Sequence, residues 1–289
     1  MDQGANPLKS FPWTRVLSAT VAIPLALAAI AWGGWAFTVA FSLSIYLAQL
    51  EYFQLVRAKG MLPAAKTTIV VSQILLVICQ INGSLGDAVF PVAGTCICFY
   101  LLFQPKLATI ADISASILGL FYGGYLPSYW IRLRNIGGSG LEIWHGAGVD
   151  LGGVYVLIVF SCIWASDIGS YVFGKALGRT RLSDISPKKT VEGAVFGLLS
   201  CLAVALIWAW QLGWAYWWLT GGFLGIAIGI ASLLGDLTES MMKRDAGVKD
   251  SGQLIPGHGG ILDRADSYVF TAPLAYYFVT LVLPLFAGK

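Results

Sequence analysis

Residues 217–242 read WWLTGGFLGIAIGIASLLGDLTESMM, an apolar run interrupted near its end by Asp236 and Glu239. A helix needs about 20 mostly apolar residues to cross a bilayer. In lipid the backbone must satisfy its own hydrogen bonds, so a run of this length reads as a spanning helix. Working outward, eight further runs meet the same test: 16–32, 35–56, 67–83, 87–104, 107–130, 151–174, 193–214 and 266–286. The expected fold is an all-α, polytopic integral membrane protein with about nine transmembrane helices. Composition agrees: 57% of the 289 residues are hydrophobic and 11% charged, where soluble domains carry about 25% charged residues. Mean hydropathy is +0.75. These values exclude a soluble enzyme and a disordered chain. A net charge of +3, from 18 Lys and Arg against 15 Asp and Glu, leaves no basic surface for nucleic acid.

With nine spans, fifteen of the eighteen Lys and Arg fall on one side and Arg132, Arg134 and Lys289 on the other. The positive-inside rule then predicts a cytoplasmic N-terminus. Residues 1–150 hold few charges and read as a transmembrane scaffold. Residues 151–289 read as the catalytic region, with cytoplasmic loops 175–192 and 243–265. The cysteines, Cys79, Cys96, Cys98, Cys162 and Cys201, all lie in apolar runs without metal-ligand spacing and read as buried free thiols.

An ionisable group inside a span is costly unless paired, hydrated or bound to an ion. Ser232, Asp236, Ser240 and Lys243 recur at helical spacing and line one face, with Glu239 beside them. Such a stripe lines a hydrated cavity or glues two helices together. The segment KRDAGVKDSGQLIPGHGGILDRAD, residues 243–266, follows it. Its glycines 257, 259 and 260 allow a ligand close to the backbone. Asp236, Asp250 and Asp263 form a candidate oxygen-rich site for Mg²⁺, which is held by one or two carboxylates, waters and substrate phosphates. Lys243, Arg244, Lys249 and Arg264 then face the phosphates, or serve only as snorkelling anchors. His258 either donates to a phosphate or shuttles a proton, or else holds its loop. In the other loop Ser186-Pro187-Lys188-Lys189-Thr190-Val191-Glu192-Gly193 opens a helix, where free N–H groups favour phosphate. Asp167 sits near the end of the preceding span. No Walker motif is present.

The run from Ser240 through Lys243-Arg244, Lys249-Asp250, Gly252, Pro256, His258-Gly259-Gly260 and Asp263-Arg264 to Asp266 resembles the C-terminal pattern of the phosphatidate cytidylyltransferase (CDP-diacylglycerol synthase) family. Leu234-Gly235-Asp236-Leu237 and the 186–193 run resemble it too. Ala265 stands where the family carries a larger apolar residue or Thr. The likeness spans about residues 160–270, while the N-terminal third matches only in hydropathy. It implies a membrane enzyme, often dimeric, that uses CTP and phosphatidic acid and yields CDP-diacylglycerol and pyrophosphate. It implies a divalent metal on the positions of Asp236 and Asp263 and, in some members, a monovalent cation beside it. The catalytic set it implies is Asp236, Asp263, Lys249, Asp250, His258 and Arg264. Lys188, Lys189, Lys243, Arg244, Ser240 and Asp167 would bind substrate. A bacterial plasma membrane is the expected compartment, with a plastid membrane as the alternative. Competing readings are a membrane kinase of polyprenol or phytol, an archaeal-type lipid cytidylyltransferase, and a secondary transporter. Clustering of the charges in one half argues against a transporter, which is commonly built from two related halves.

Overall fold

The computed structural model describes residues 13–137, 150–252 and 259–287. Helices dominate: α1 Trp13–Trp32, α2 Gly34–Ala58, α3 Ala65–Ile81, α4 Leu85–Leu102, α5 Ile110–Leu120, α6 Leu126–Arg134, α7 Leu151–Leu177, α8 Val191–Gln211, α9 Trp217–Asp245, α10 Leu262–Tyr277 and α11 Leu283–Ala287. No strand occurs among the described residues beyond an isolated bridge between Arg181 and Thr190. One π-helical turn, Phe121–Tyr125, joins α5 to α6, and a second, Phe278–Val282, joins α10 to α11. Each joined pair therefore runs as one continuous helical stretch whose hydrogen-bond ladder widens at the join. The helical rods fall on the apolar runs of the sequence, and the 67–104 stretch divides into α3 and α4 at Asn82–Ser84.

Among the described residues six helices are long and apolar enough to cross a membrane: Gly34–Ala58, Leu85–Leu102, Leu151–Leu177, Val191–Gln211, Trp217–Asp245 and Leu262–Phe286. The protein is thus an all-α, multi-pass integral membrane protein. Large apolar side chains such as Trp32, Phe103, Leu107 and Ile110 point outward, as lipid contact requires. Cys79, Cys162 and Cys201 are buried, whereas Cys96 and Cys98 of α4 lie on this outer face. The apolar runs around those two did not reveal which side faced lipid.

The interior is centred on Trp130. Its indole meets Phe160 of α7 edge to face, with centroids 4.9 Å apart, and its Nε1 donates to the Tyr268 carbonyl of α10 at 3.0 Å. Around it α7, α8, α9 and α10 pack in chain order, and α6 closes against α10. Ion pairs mark the two ends of the bundle, half-buried at one and exposed at the other. At one end Arg132 pairs with Asp87 at 2.8 Å, over the face of Tyr129. Arg134 pairs with Asp150 at 2.5 Å and donates to the Ile30 carbonyl at 2.8 Å. Both arginines are buried, so α6 runs past the end of the 107–130 apolar run. At the opposite end Lys59 of α2 pairs with Asp245 of α9 at 3.0 Å, beside the loops that follow α7 and α9.

In a cysteine-free background, Asp184→Cys and Asp245→Cys are expected to react with an impermeant thiol reagent only after cells are opened. The motive is the fifteen-to-three division of Lys and Arg. Labelling of either position in sealed cells would reverse the sidedness.

Candidate active site

The stripe on α9 faces α10. Ser232 and Ser240 are buried, and Ser267 Oγ–H reaches the Ser232 carbonyl at 3.5 Å. A Cβ on Gly235 would overlap the Asp266 carbonyl oxygen, so glycine at 235 is what lets the backbone of α10 approach. The result is a convergence of carboxylates: one oxygen each from Asp236, Glu239 and Asp266 lies within 4.8 Å of the others. Asp236 and Glu239, three residues apart, share a face of α9. Asp266 comes from the second turn of α10.

Two lysines border this trio. Lys189, just before α8, pairs with Asp236. Lys243, in the last turn of α9, pairs with Glu239 at 2.5 Å and with Asp263 at 2.6 Å. Asp263 is buried. Its other oxygen accepts the N–H groups of Ser251 at 3.0 Å and Gly260 at 2.8 Å. Asp263 is thus joined to Glu239 of the trio through the Lys243 ammonium and by direct side-chain contact. Asp167 of α7 lies within electrostatic reach of Asp236, Lys189 and Arg264.

The remaining predicted residues lie around the rim. Lys188, Lys249, Asp250 and Arg264 are exposed. Arg244 donates to the Ile185 carbonyl at 3.3 Å and the Val248 carbonyl at 3.2 Å, tying the two loops together. His258 lies outside the described residues. The start of α8 is already occupied by its own chain. Val191 N–H bonds the Thr180 carbonyl at 3.0 Å, and Gly193 N–H bonds the Thr190 hydroxyl at 3.1 Å. The Glu192 carboxylate accepts the N–H groups of Arg179 and Thr180. Helix-start N–H groups expected to be open to phosphate are thus spent, and the positive field there comes from Lys188 and Lys189.

Two participants were not singled out from the sequence. Tyr122, in the π-helical turn after α5, has a buried hydroxyl without a hydrogen-bond partner, within electrostatic reach of all three trio carboxylates. Glu51 of α2 is buried and grips Ser251, Ile261 and Leu262 from the N-terminal half. Neither carries a local signature: each sits in an aromatic-rich apolar helix and meets its partners only through the fold.

The trio fits a hard divalent cation. Three acidic oxygens converge beside a buried phenol that lacks a hydrogen-bond partner. Lys189 and Lys243 offset part of this charge, and a divalent cation would offset the rest.

Comparison with known proteins bears on what such a site does. The model of the cytidylyltransferase family matches residues 13–282. A protein of Synechocystis sp. named phosphatidate cytidylyltransferase is 60% identical over 288 residues, which cover 95% of this chain and 98% of the relative. Phosphatidate cytidylyltransferase 4, chloroplastic, of Arabidopsis thaliana is 43% identical over 276 residues, covering 88% of this chain and 70% of its own. A phosphatidate cytidylyltransferase of Staphylococcus haemolyticus is 31% identical over 270 residues, covering 90% and 96%.

Proposed function

The chain belongs to the cytidylyltransferase family, and on that premise we propose that it transfers CMP from CTP to phosphatidic acid, releasing pyrophosphate and leaving CDP-diacylglycerol for phospholipid synthesis. A phosphate oxygen of the lipid attacks the α-phosphorus of CTP. The bond from that phosphorus to the bridging oxygen breaks, and its electron pair leaves with pyrophosphate. The observation that best supports this reading is the carboxylate trio bordered by Lys189 and Lys243 at the loop end of the bundle. The acceptor is already an anion, so no strong base is called for. What the site must supply is alignment of two anions and stabilisation of the leaving charge.

Asp236, Glu239 and Asp266 would hold Mg²⁺, which when bound would supply Lewis-acid offset of phosphate charge. The chain's own side chains do the rest. Lys189 and Lys243 keep the acidic cluster from repelling the triphosphate. Lys188, Lys249 and Arg264, exposed at the rim, offer charge-assisted donors to phosphate oxygens. The lipid tails stay between helices while the headgroup reaches this rim.

Purified protein in phosphatidate-containing vesicles, given CTP labelled at the α-phosphorus, is expected to label the lipid. CTP labelled at the γ-phosphorus is expected to label only pyrophosphate. The opposite pattern would mark a lipid kinase, and pyrophosphate release without phosphatidate would overturn the acceptor assignment. Lys188→Ala is expected to raise the KM for a phosphate-bearing substrate about tenfold, the effect of one charged hydrogen bond. Lys189→Ala is expected also to lower kcat, because Lys189 touches Asp236. Unchanged kinetics in both variants would return these lysines to a purely topogenic role.

A further inference from the structure

Glu51 lies in α2, roughly 200 residues in sequence from the segment it grips. It is 2% exposed. Its Oε1 accepts the Ile261 N–H at 3.0 Å. Its Oε2 accepts the Leu262 N–H at 2.9 Å and the Ser251 hydroxyl at 2.9 Å. A buried carboxylate needs such donors in the absence of a cation. Space for it is reserved by two glycines of the motif. A Cβ on Gly252 or on Gly260 would overlap the Glu51 carboxylate. These glycines therefore form a carboxylate seat, whatever else their small size allows.

The same two stretches of chain carry the donors to Asp263, namely the N–H groups of Ser251 at 3.0 Å and Gly260 at 2.8 Å. Asp263 in turn holds Lys243 at 2.6 Å, and Lys243 reaches Glu239 of the trio at 2.5 Å. Two carboxylates, one from each half of the chain, thus clasp Ser251 to the 260–262 turn. Asp263 faces the site, and Glu51 forms the backing.

We infer that Glu51 is a positioning residue for the transfer reaction: it holds Ser251 and the 260–262 turn in register, and through Asp263 and Lys243 it sets Glu239 against Asp236 and Asp266. The inference rests on the cytidylyl-transfer reading for its kinetic consequences, but not for its structural ones. It also gives the N-terminal half a part in the reaction beyond scaffold and lipid contact.

The test is Glu51→Gln. The amide keeps one acceptor, but its NH₂ must face the N–H of Ile261 or Leu262, donor against donor. Groups that orient metal ligands typically change metal affinity or activity by 10–100-fold when altered. Glu51→Gln is therefore expected to raise the half-saturating Mg²⁺ concentration about tenfold and to lower kcat by about 10–100-fold. Mn²⁺ binding, read by electron paramagnetic resonance on detergent-solubilised protein, should weaken in parallel. Amide exchange in peptides covering 251–263 should rise. Ser251→Ala removes one donor of three, should fold if Glu51→Gln does not, and should shift the same quantities a few-fold in the same direction. Gln49→Leu is the control. It lies in the same helix but bonds Ser72 and the Gly119 carbonyl, so it should lower thermal stability and leave the Mn²⁺ affinity unchanged. Wild-type metal affinity and wild-type exchange in both Glu51→Gln and Ser251→Ala would overturn the inference. Equal metal effects in Gln49→Leu would reduce Glu51 to a merely structural role. Mn²⁺ binding and exchange do not depend on the acceptor lipid, so failure of the proposed reaction shows separately, in the labelled-CTP assay of the wild type.

Discussion

Asp236→Asn is expected to lower kcat/KM roughly a thousandfold, about 4 kcal/mol of transition-state stabilisation, while the protein stays folded. The carboxylate lies on α9 within 4.8 Å of the acidic oxygens of Glu239 and Asp266 and pairs with Lys189. Asparagine preserves its volume and one oxygen, so α9 keeps its packing against α8 and α10. The lost charge weakens the hold on a divalent cation and leaves Lys189 without its acidic partner. Excess Mg²⁺ should restore part of the activity, because the deficit lies partly in metal affinity. Glu239→Gln should cost less, about tenfold, since Lys243 keeps Asp263 as a partner when Glu239 loses its charge. Rates are measured across a Mg²⁺ titration, with thermal unfolding as the check on folding. Near-wild-type turnover of Asp236→Asn at low Mg²⁺ would remove Asp236 from the site.

The all-α, multi-pass character was legible because lipid demands long apolar runs, which length and hydropathy report directly; against nine expected spans, six helices meet that test among the described residues. Legibility failed where a charge was buried. Arg132 and Arg134 fall beyond the 107–130 run, yet they continue α6 with side chains buried against Asp87 and Asp150. Hydropathy counts an arginine as polar whatever its partner, so the end of α6 was misplaced. In the site, the stripe from Ser232 to Lys243 was visible as a helical period, and the motif segment marked the neighbourhood. The choice among acids was not visible. Asp263 and Asp266 are three residues apart and share a face of α10. Only the close approach at Gly235 brings Asp266 to the trio and leaves Asp263 with Lys243. Glu51 was harder still, because its partners are backbone N–H groups, which have no side-chain signature. Sequence reasoning reads patterns along one element, and these assignments depend on where two elements touch.

The pair Asp263→Asn and Asp266→Asn separates two kinds of acid that one sequence motif presents together. Asp266 offers an oxygen to the trio, and among the described residues its side chain accepts only from Ser267 N–H, at 2.6 Å. Its conversion to Asn should act chiefly on metal affinity, with kcat/KM down about a hundredfold and much of that recovered by raised Mg²⁺. Asp263 spends one oxygen on Lys243 and the other on two backbone N–H groups. An amide there must turn its NH₂ either toward the Lys243 ammonium or toward the N–H groups of Ser251 and Gly260. Either orientation sets donor against donor and leaves buried polar groups unpaired, at about 1–3 kcal/mol each. Lys243 is then held by Glu239 alone, and the 251–260 contact loosens. Asp263→Asn is therefore expected to abolish measurable turnover with no recovery at high Mg²⁺, and to increase amide exchange across 251–263. Asp266→Asn should leave that exchange unchanged. Full recovery of Asp263→Asn by Mg²⁺, with exchange as in the wild type, would make Asp263 a direct metal ligand and displace Lys243 from between it and the trio.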